Sequence, residues 1–343
     1  MSAERKYFIN MKKTDNGCRE LSLRKTARFL KKHDNYIIIT HAFPDGDTLG
    51  SAYALYYGLK EIGKVAEVIC PDVIPKKYDY FVHETDHVAA ENATIIAVDV
   101  ADKKLMGSLE EVFGDKVDLN IDHHISNVRF AKNLYLDHTA SATCEIIFEL
   151  LNLMRVNINT LTARALYTGI ATDTGCFKFS NVTVKTHEIV SHLYQYDIAA
   201  AEINKIMFDT KSKRLLELER KVLETAEYHF NDRCMVLAVT DEMQKSTGCC
   251  GPDLEGIAFI SRSVEGVLVG VTLKQTGDDA YKVSLRTYPP FDASAICRML
   301  GGGGHVAAAG ANVYGSLEEA KKQILDAIIK YAEENNAGFD TAE

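Results

Sequence analysis

The chain has 343 residues, 46% of them hydrophobic, and a formal net charge of −9 from 39 basic against 48 acidic side chains. This size and composition suit a folded protein of two ordinary domains, and the acidic balance excludes a general affinity for long nucleic acid while allowing a local cationic pocket for a small anion. No window reaches the ~20 apolar residues of a membrane span, the charged start MSAERKYFINMKK lacks the apolar centre of a signal peptide, and eight scattered cysteines without a CxxC pair fit reduced thiols in the cytoplasm. Adjacent Cys249 and Cys250 have no role that the sequence assigns.

After a polar N-terminal segment, residues 35 to 175 alternate short apolar runs with helical spacing, the pattern of a parallel α/β sheet. Strands are expected at YIIIT, VAEVIC, TIIAVDV and VDLNIDH, with helices over Leu49 to Ile62, through TCEIIFELLNLM after DHTASA, and in TARALYTGIATDTG up to a turn at Gly175. From Ile198 to Phe230 the chain has almost no helix breakers and carries a charged face, so a connecting helical segment is expected with the domain boundary inside it. Beyond residue 232, CMVLAVT, GVLVGVTLKQ and AYKVSLRTY read as strands, and Gly256 to Val264 and Leu317 to Asn335 as helices. A glycine run separates the strands from the last helix, NNAGFDTAE reads as a frayed tail, and the whole suits a compact α+β domain.

The stretch THAFPDGDTLGS places His41, Asp45 and Asp47 where the first strand runs out. Such a loop faces the crevice in which open α/β sheets bind ligands, and Gly46 is expected to let it bend so that both carboxylates face one point. The same Asp-Gly pair is ordinary turn chemistry, so this stretch alone leaves a metal loop and a turn equally open. Similar residues recur: Asp99 ends TIIAVDV, Asp122, His123 and His124 end VDLNIDHH, and Asp173 sits in ATDTG at a helix end. Singly, each reads as a cap, a turn or a solvated side chain. Together, nitrogen and oxygen ligands at several strand ends describe a site for two divalent metals. Asp45, Asp47, Asp99 and Asp173 would repel one another at low dielectric, and two such cations cancel their charge. A histidine and carboxylate set without cysteine favours Mn²⁺, with Mg²⁺ or Co²⁺ as alternatives, over structural zinc.

In this order, HAFPDGD, VDVAD, DHH and TDTG, followed by GGGGHVAAAG, resemble the DHH phosphoesterase family with its DHH-associated C-terminal domain, over residues 30 to 335. The resemblance implies an α/β fold: a parallel-sheet DHH catalytic domain (20–200), a helical linker (201–230) and a smaller α+β substrate-binding domain (231–335), with the active site in the cleft between them. It implies that His41, Asp45 and Asp99 hold one metal ion and that Asp47, Asp99, His123 and Asp173 hold the other, Asp99 bridging the two. His124 would then act with Asp99 in catalysis by facing the substrate phosphate, while Asp122 orients a histidine. On this resemblance the ions would supply a water of lowered pKa for in-line attack on phosphorus, so no side-chain nucleophile is needed and Ser51 and Cys176 keep structural roles. Of the histidines outside the motifs, His138 is the one placed to join them, since it borders the loop after the DHH strand.

Alone, Gly301 to Gly304 would suit a flexible linker, but small apolar residues follow them. Glycines let backbone N–H groups approach an anion, so Gly302, Gly303 and Gly304 are candidate substrate contacts, and His305 can donate beside them. Arg286 and Arg262 offer fork-like phosphate contacts, surface arginine being the other reading, and the resemblance turns both toward substrate. A pyrophosphatase of this superfamily would lack the GGGGH element, and a RecJ-type exonuclease would be longer. The two-domain form resembles the nano-RNases, which degrade very short oligoribonucleotides such as pApA or pGpG to mononucleotides. A 3′-phosphoadenosine 5′-phosphate phosphatase or a cyclic di-AMP phosphodiesterase is the alternative, and a non-catalytic nucleotide sensor is the alternative from another class. Expected partners are thus short oligoribonucleotides or dinucleotides, with no preference for long nucleic acid and no membrane; a homodimer is compatible, and oligomeric state stays open.

Overall fold

The computed structural model describes residues 17–339, and the chain divides into two compact units between Thr210 and Lys211. The first unit runs β1 (Arg19–Glu20), α1 (Leu23–Lys32), β2 (Tyr36–Ile39), α2 (Gly46–Glu61), β3 (Ala66–Ile69), β4 (Thr94–Val98), α3 (Glu110–Phe113), β5 (Leu119–Asp122), β6 (Asn133–Leu136), α4 (Thr143–Met154), α5 (Thr160–Asp173), α6 (Val184–Leu193) and α7 (Ala200–Asn204). Its strands form one parallel sheet in the order β1-β6-β5-β4-β2-β3. The middle of a parallel sheet is buried on both faces, which is why β2 and β4 read as apolar runs. Tyr36, Ile38, Ile96 and Val98 pack among Leu55, Ile147 and Leu166 of α2, α4 and α5, whereas Ile37, Ile39, Ile95 and Ala97 pack on Met106 and Phe113 of the opposite layer.

The chain leaves β2 for β3 on one side and then places β4 on the other, so β2 and β4 flank the point where the winding reverses. Loops diverge there and leave a crevice beyond the strands' C-terminal ends. Glycines set the spacing of α2 and α5 beneath it: a Cβ on Gly46 would lie 2.3 Å from Thr172 Oγ1, one on Gly50 2.5 Å from the Ala165 oxygen, and one on Gly169 2.8 Å from Asp47 Oδ1. Gly46 opens α2 and is not among the residues of positive φ. Its function is therefore this close approach and not the expected sharp bend.

The α/β reading and its four strands hold, and the structure adds elements that the sequence did not announce. Part of the polar N-terminal segment is β1 and α1, in which only Thr26, Ala27 and Leu30 are buried, too few apolar residues to stand out among the charges; residues 1–16 of that segment lie outside the described residues. Helix is interrupted at residues 210–212, between a π-helical turn (Lys205–Asp209) and α8 (Lys213–Leu223), whose N-terminus Ser212 caps.

The second unit continues with β7 (Glu227–His229), β8 (Cys234–Val239), α9 (Asp241–Thr247), β9 (Val269–Gly277), β10 (Ala280–Thr287), α10 (Ala293–Met299), β11 (Gly303–His305), β12 (Ala308–Tyr314) and α11 (Leu317–Asn335). Its mixed sheet has the order β11-β12-β10-β9-β8-β7, with β8 and β9 parallel and the other neighbours antiparallel. One face packs on α10 and α11; the other, at Met235 and Leu237, packs on Leu218 and Val222 of α8 and on Ile257. Three expectations change. The pattern at Gly256 to Val264 belongs to a 3₁₀ helix over Gly251–Arg262. The glycine run separates nothing, because it enters the β11–β12 hairpin. The tail is not frayed as far as it is described, since Ala337 is buried and the Phe339 ring lies 4.5 Å from that of Phe230 and 4.8 Å from that of Phe291. No disulfide links any of the eight cysteines, and Cys249 lies in the core with Leu218 and Val239. No helix among the described residues is long and apolar enough to cross a membrane.

Candidate metal centre

Each residue of the constellation is delivered by the end of an element in the first unit. β2 runs out into His41, and Asp45 caps α2 by accepting from the N–H groups of Asp47 and Thr48, both at 3.0 Å. Asp47 is in the first turn of α2, where a carboxylate also suits the helix dipole. Asp99 follows β4 with φ of 58°, a left-handed conformation that aspartate tolerates better than most residues. β5 ends on Asp122 and hands the chain to His123 and His124, and Asp173 is the last residue of α5.

The structure brings these side chains into three groups: His41, Asp45 and Asp99; Asp47, His123 and Asp173; and Asp99, His123 and His124, with ligand atoms within 4.8 Å of one another in each. Asp45 and Asp47 thus serve neighbouring groups and not one point. Asp99 belongs to both sides. Its Oδ2 lies 3.7 Å from His41 Nε2 and its Oδ1 3.7 Å from His123 Nε2. His123 Nε2 is also 3.3 Å from Asp173 Oδ2 and 4.0 Å from Asp47 Oδ2.

Carbonyl partners settle which histidine nitrogen is available. His41 Nδ1 donates to the Ala42 oxygen at 2.7 Å and His123 Nδ1 to the Ala140 oxygen at 3.1 Å, leaving Nε2 of each facing the carboxylates. His124 Nδ1 is held by Asp122 Oδ1 at 2.7 Å. Asp122 is itself fixed by the His123 N–H at 2.8 Å and by Asn127 Nδ2 at 2.6 Å, as a group that orients histidine needs to be. Asp47 is fully buried and accepts from the N–H groups of Thr143 at 2.6 Å and Cys144 at 2.9 Å, at the start of α4. The Thr143 hydroxyl donates to Asp99 Oδ1 at 2.8 Å. Nothing in the sequence singled out Thr143, whose partner Asp99 is remote along the chain. Ser51 is buried and its hydroxyl donates to Asp47 Oδ1 at 3.4 Å, while His138 is exposed and joins none of the three groups.

Burial, with the negative charges of Asp47 and Asp45, holds the Asp99 carboxyl well above the usual carboxylate range. Burial and the neighbouring aspartates do the same at Asp173. At His41 burial favours the neutral ring, yet Asp45 and Asp99 outweigh it and push its pKa up to about 9. The site is short of positive charge. Imidazole nitrogens and carboxylate oxygens without a thiolate fit divalent cations.

In the second unit, register places Arg286 and His305 opposite the same residue, Ala308, so the three side chains share one row and one face of the sheet. Arg286 and Arg262 both lie against the Phe259 ring, at 5.4 and 5.8 Å, and Arg262 also stands 4.9 Å from the Tyr288 ring. Gly302 and Gly304 are needed by the hairpin itself, since a Cβ would come within 2.1 Å of the Gly310 oxygen and 2.6 Å of Ala309 Cα. Gly303 alone of the three faces open space.

Residues 35–170 match the DHH family, N-terminal domain, and residues 232–334 match the DHHA1 domain. A bifunctional oligoribonuclease and PAP phosphatase of Thermus thermophilus is 33% identical over 315 residues, covering 89% of this chain and 93% of the relative. The Bacillus subtilis protein of the same description is 27% identical over 304 residues, 87% of this chain and 95% of its own. The crystal structure of an exopolyphosphatase-related protein from Bacteroides fragilis has a TM-score of 0.82 at 26% identity, over 91% of this chain and 96% of that one. With both domains in order and a relative one-third identical along most of its length, the chain belongs to the DHH family of phosphoesterases.

Proposed function

We propose that this hydrolase cleaves very short oligoribonucleotides to mononucleotides at a centre of two divalent ions, Mn²⁺ being the native pair, with the first unit catalytic and the second holding the rest of the substrate. The observation that carries the reading is the sharing of Asp99, with one carboxylate oxygen toward His41 and the other toward His123. In this reading His41 and Asp45 complete one site, and Asp47, His123 and Asp173 the other. Bound ions supply Lewis acidity and a water of lowered pKa. His124, its Nδ1 held by Asp122, is left with Nε2 to donate to a phosphoryl oxygen. Relatives described as both oligoribonuclease and PAP phosphatase support this substrate class, and support 3′-phosphoadenosine 5′-phosphate as a second substrate of the same site. The compartment we assign is the cytoplasm, consistent with eight cysteines that form no disulfide.

The test is a comparison of kcat/KM on pApA, pGpG, cyclic di-AMP and 3′-phosphoadenosine 5′-phosphate with Mn²⁺ and with EDTA. Turnover of none of them would favour the sensor. A length series extends it: a dinucleotide, a pentamer and a long single strand at two salt concentrations. The expected rate falls with length, and the salt slope is shallow, since each phosphate neutralised on a single strand contributes about 0.7 to it and one or two contacts are expected. Rates that climb with length together with a steep slope would restore a processive exonuclease.

The metal-free site carries protons that a cation must displace. His41, Asp99 and Asp173 have folded pKa values above their unfolded ones, so their contribution to the stability of the metal-free protein is present at low pH and is lost as pH rises, through about 9 for His41. Cation affinity has the opposite sign and rises with pH over the same window. Calorimetric titration with Mn²⁺ in buffers of different ionisation enthalpy is expected to show proton release near neutral pH. Binding without proton release would remove these groups from the ligand set.

A further inference from the structure

One residue touches both central carboxylates. Thr143, fully buried, is the first residue of α4. Its N–H donates to Asp47 Oδ2 at 2.6 Å, and its hydroxyl donates to Asp99 Oδ1 at 2.8 Å. A carboxylate turns about its Cβ–Cγ bond, and Asp99 can face two neighbours only while that rotation is stopped. The hydroxyl donates to Oδ1, which also lies 3.7 Å from His123 Nε2 and 3.6 Å from His124 Nδ1, while Oδ2 lies 3.7 Å from His41 Nε2. At Asp47, the Cys144 N–H on Oδ1 and the Thr143 N–H on Oδ2 fix the opposite carboxylate in the same way.

We propose that Thr143 is a positioning residue that couples the two halves of the metal centre, setting which oxygen of Asp99 serves which half while its backbone holds Asp47. The proposal rests on the two-ion reading above. Partners that orient ligands from behind in this way are worth ~10–100-fold in metal affinity. A hydroxyl is the feature required: serine retains it, and valine keeps the shape while removing it.

The experiment is a calorimetric titration of the metal-free full chain with Mn²⁺ alone, for wild type, Thr143→Val and Thr143→Ser, alongside kcat and KM on pApA and the thermal midpoint. Wild type is expected to bind two ions; if it binds none, the two-ion reading fails whatever Thr143 does. With two ions in wild type, Thr143→Val is expected to weaken at least one of them by ~10-fold or more, and to lower kcat with little change in KM. Thr143→Ser is expected to restore both affinities to within ~3-fold of wild type. Wild-type affinities and kcat in the valine variant would overturn the proposal, and so would a serine variant of normal thermal midpoint that fails as valine does. Should the valine variant not fold, Thr143→Ala carries the same comparison without a buried methyl against Asp99.

Discussion

Replacing Asp99 with alanine is expected to release both ions and to lower kcat by ~10³-fold or more, about 4 kcal/mol. The loss follows from the two directions in which the carboxylate faces, with Oδ2 toward His41 and Oδ1 toward His123. Because Asp99 also holds a left-handed backbone conformation, alanine adds strain to the loss of a ligand. Asp99→Asn separates the two effects, since asparagine tolerates that conformation. His305→Ala, by contrast, is expected to lower activity with metal content intact. Elemental analysis beside turnover decides the matter: an Asp99→Ala protein that keeps two ions and near-normal kcat would end the bridging assignment.

Arg286→Ala is expected to lower kcat/KM by about 2–5 kcal/mol with no loss of metal. The guanidinium is half-buried beside Phe259, its one hydrogen bond among the described residues goes to the Leu285 oxygen at 3.1 Å, and no carboxylate among those residues pairs with it. Burial, helped by the positive charge of Arg262, draws its pKa below the ordinary arginine value. A half-buried cation without a counter-ion is a cost to the free protein, and in the proposed function a substrate phosphate would relieve it. The same substitution should therefore leave the thermal midpoint of the free protein unchanged or raise it. Arg286→Lys should recover only part of the activity, because an ammonium does not form the fork. An unchanged kcat/KM in the alanine variant would remove Arg286 from the substrate site.

The constellation was legible because several of its members sit where an apolar run ends: Ile39 before His41, Val98 before Asp99 and Ile121 before the DHH triplet are visible in one dimension. What joins the members was not. Thr143 meets Asp99 across 44 positions of chain, and threonine at the start of a helix is too ordinary to mark. Gly46 read as a bend because its neighbours are turn-formers, whereas its reason is Thr172 on another helix. β12 escaped because AAGANVY has few β-branched residues and is held as a strand by its pairing with β10. α1 escaped because its charges outnumber its three buried positions.

The glycine spacing of α2 and α5 has a consequence for engineering. Glycine-to-alanine changes inside helices usually raise stability by about 0.4–1 kcal/mol, and Gly50 and Gly169 are helical. Here the added methyl at Gly169 would press on Asp47 Oδ1 and lie 2.2 Å from Cys144 Sγ, shifting a carboxylate of the centre from inside the core. The distance between two helices acts as a gauge for the placement of Asp47 among the clustered carboxylates, and thermostabilised versions of this enzyme are best sought at sites that leave it alone.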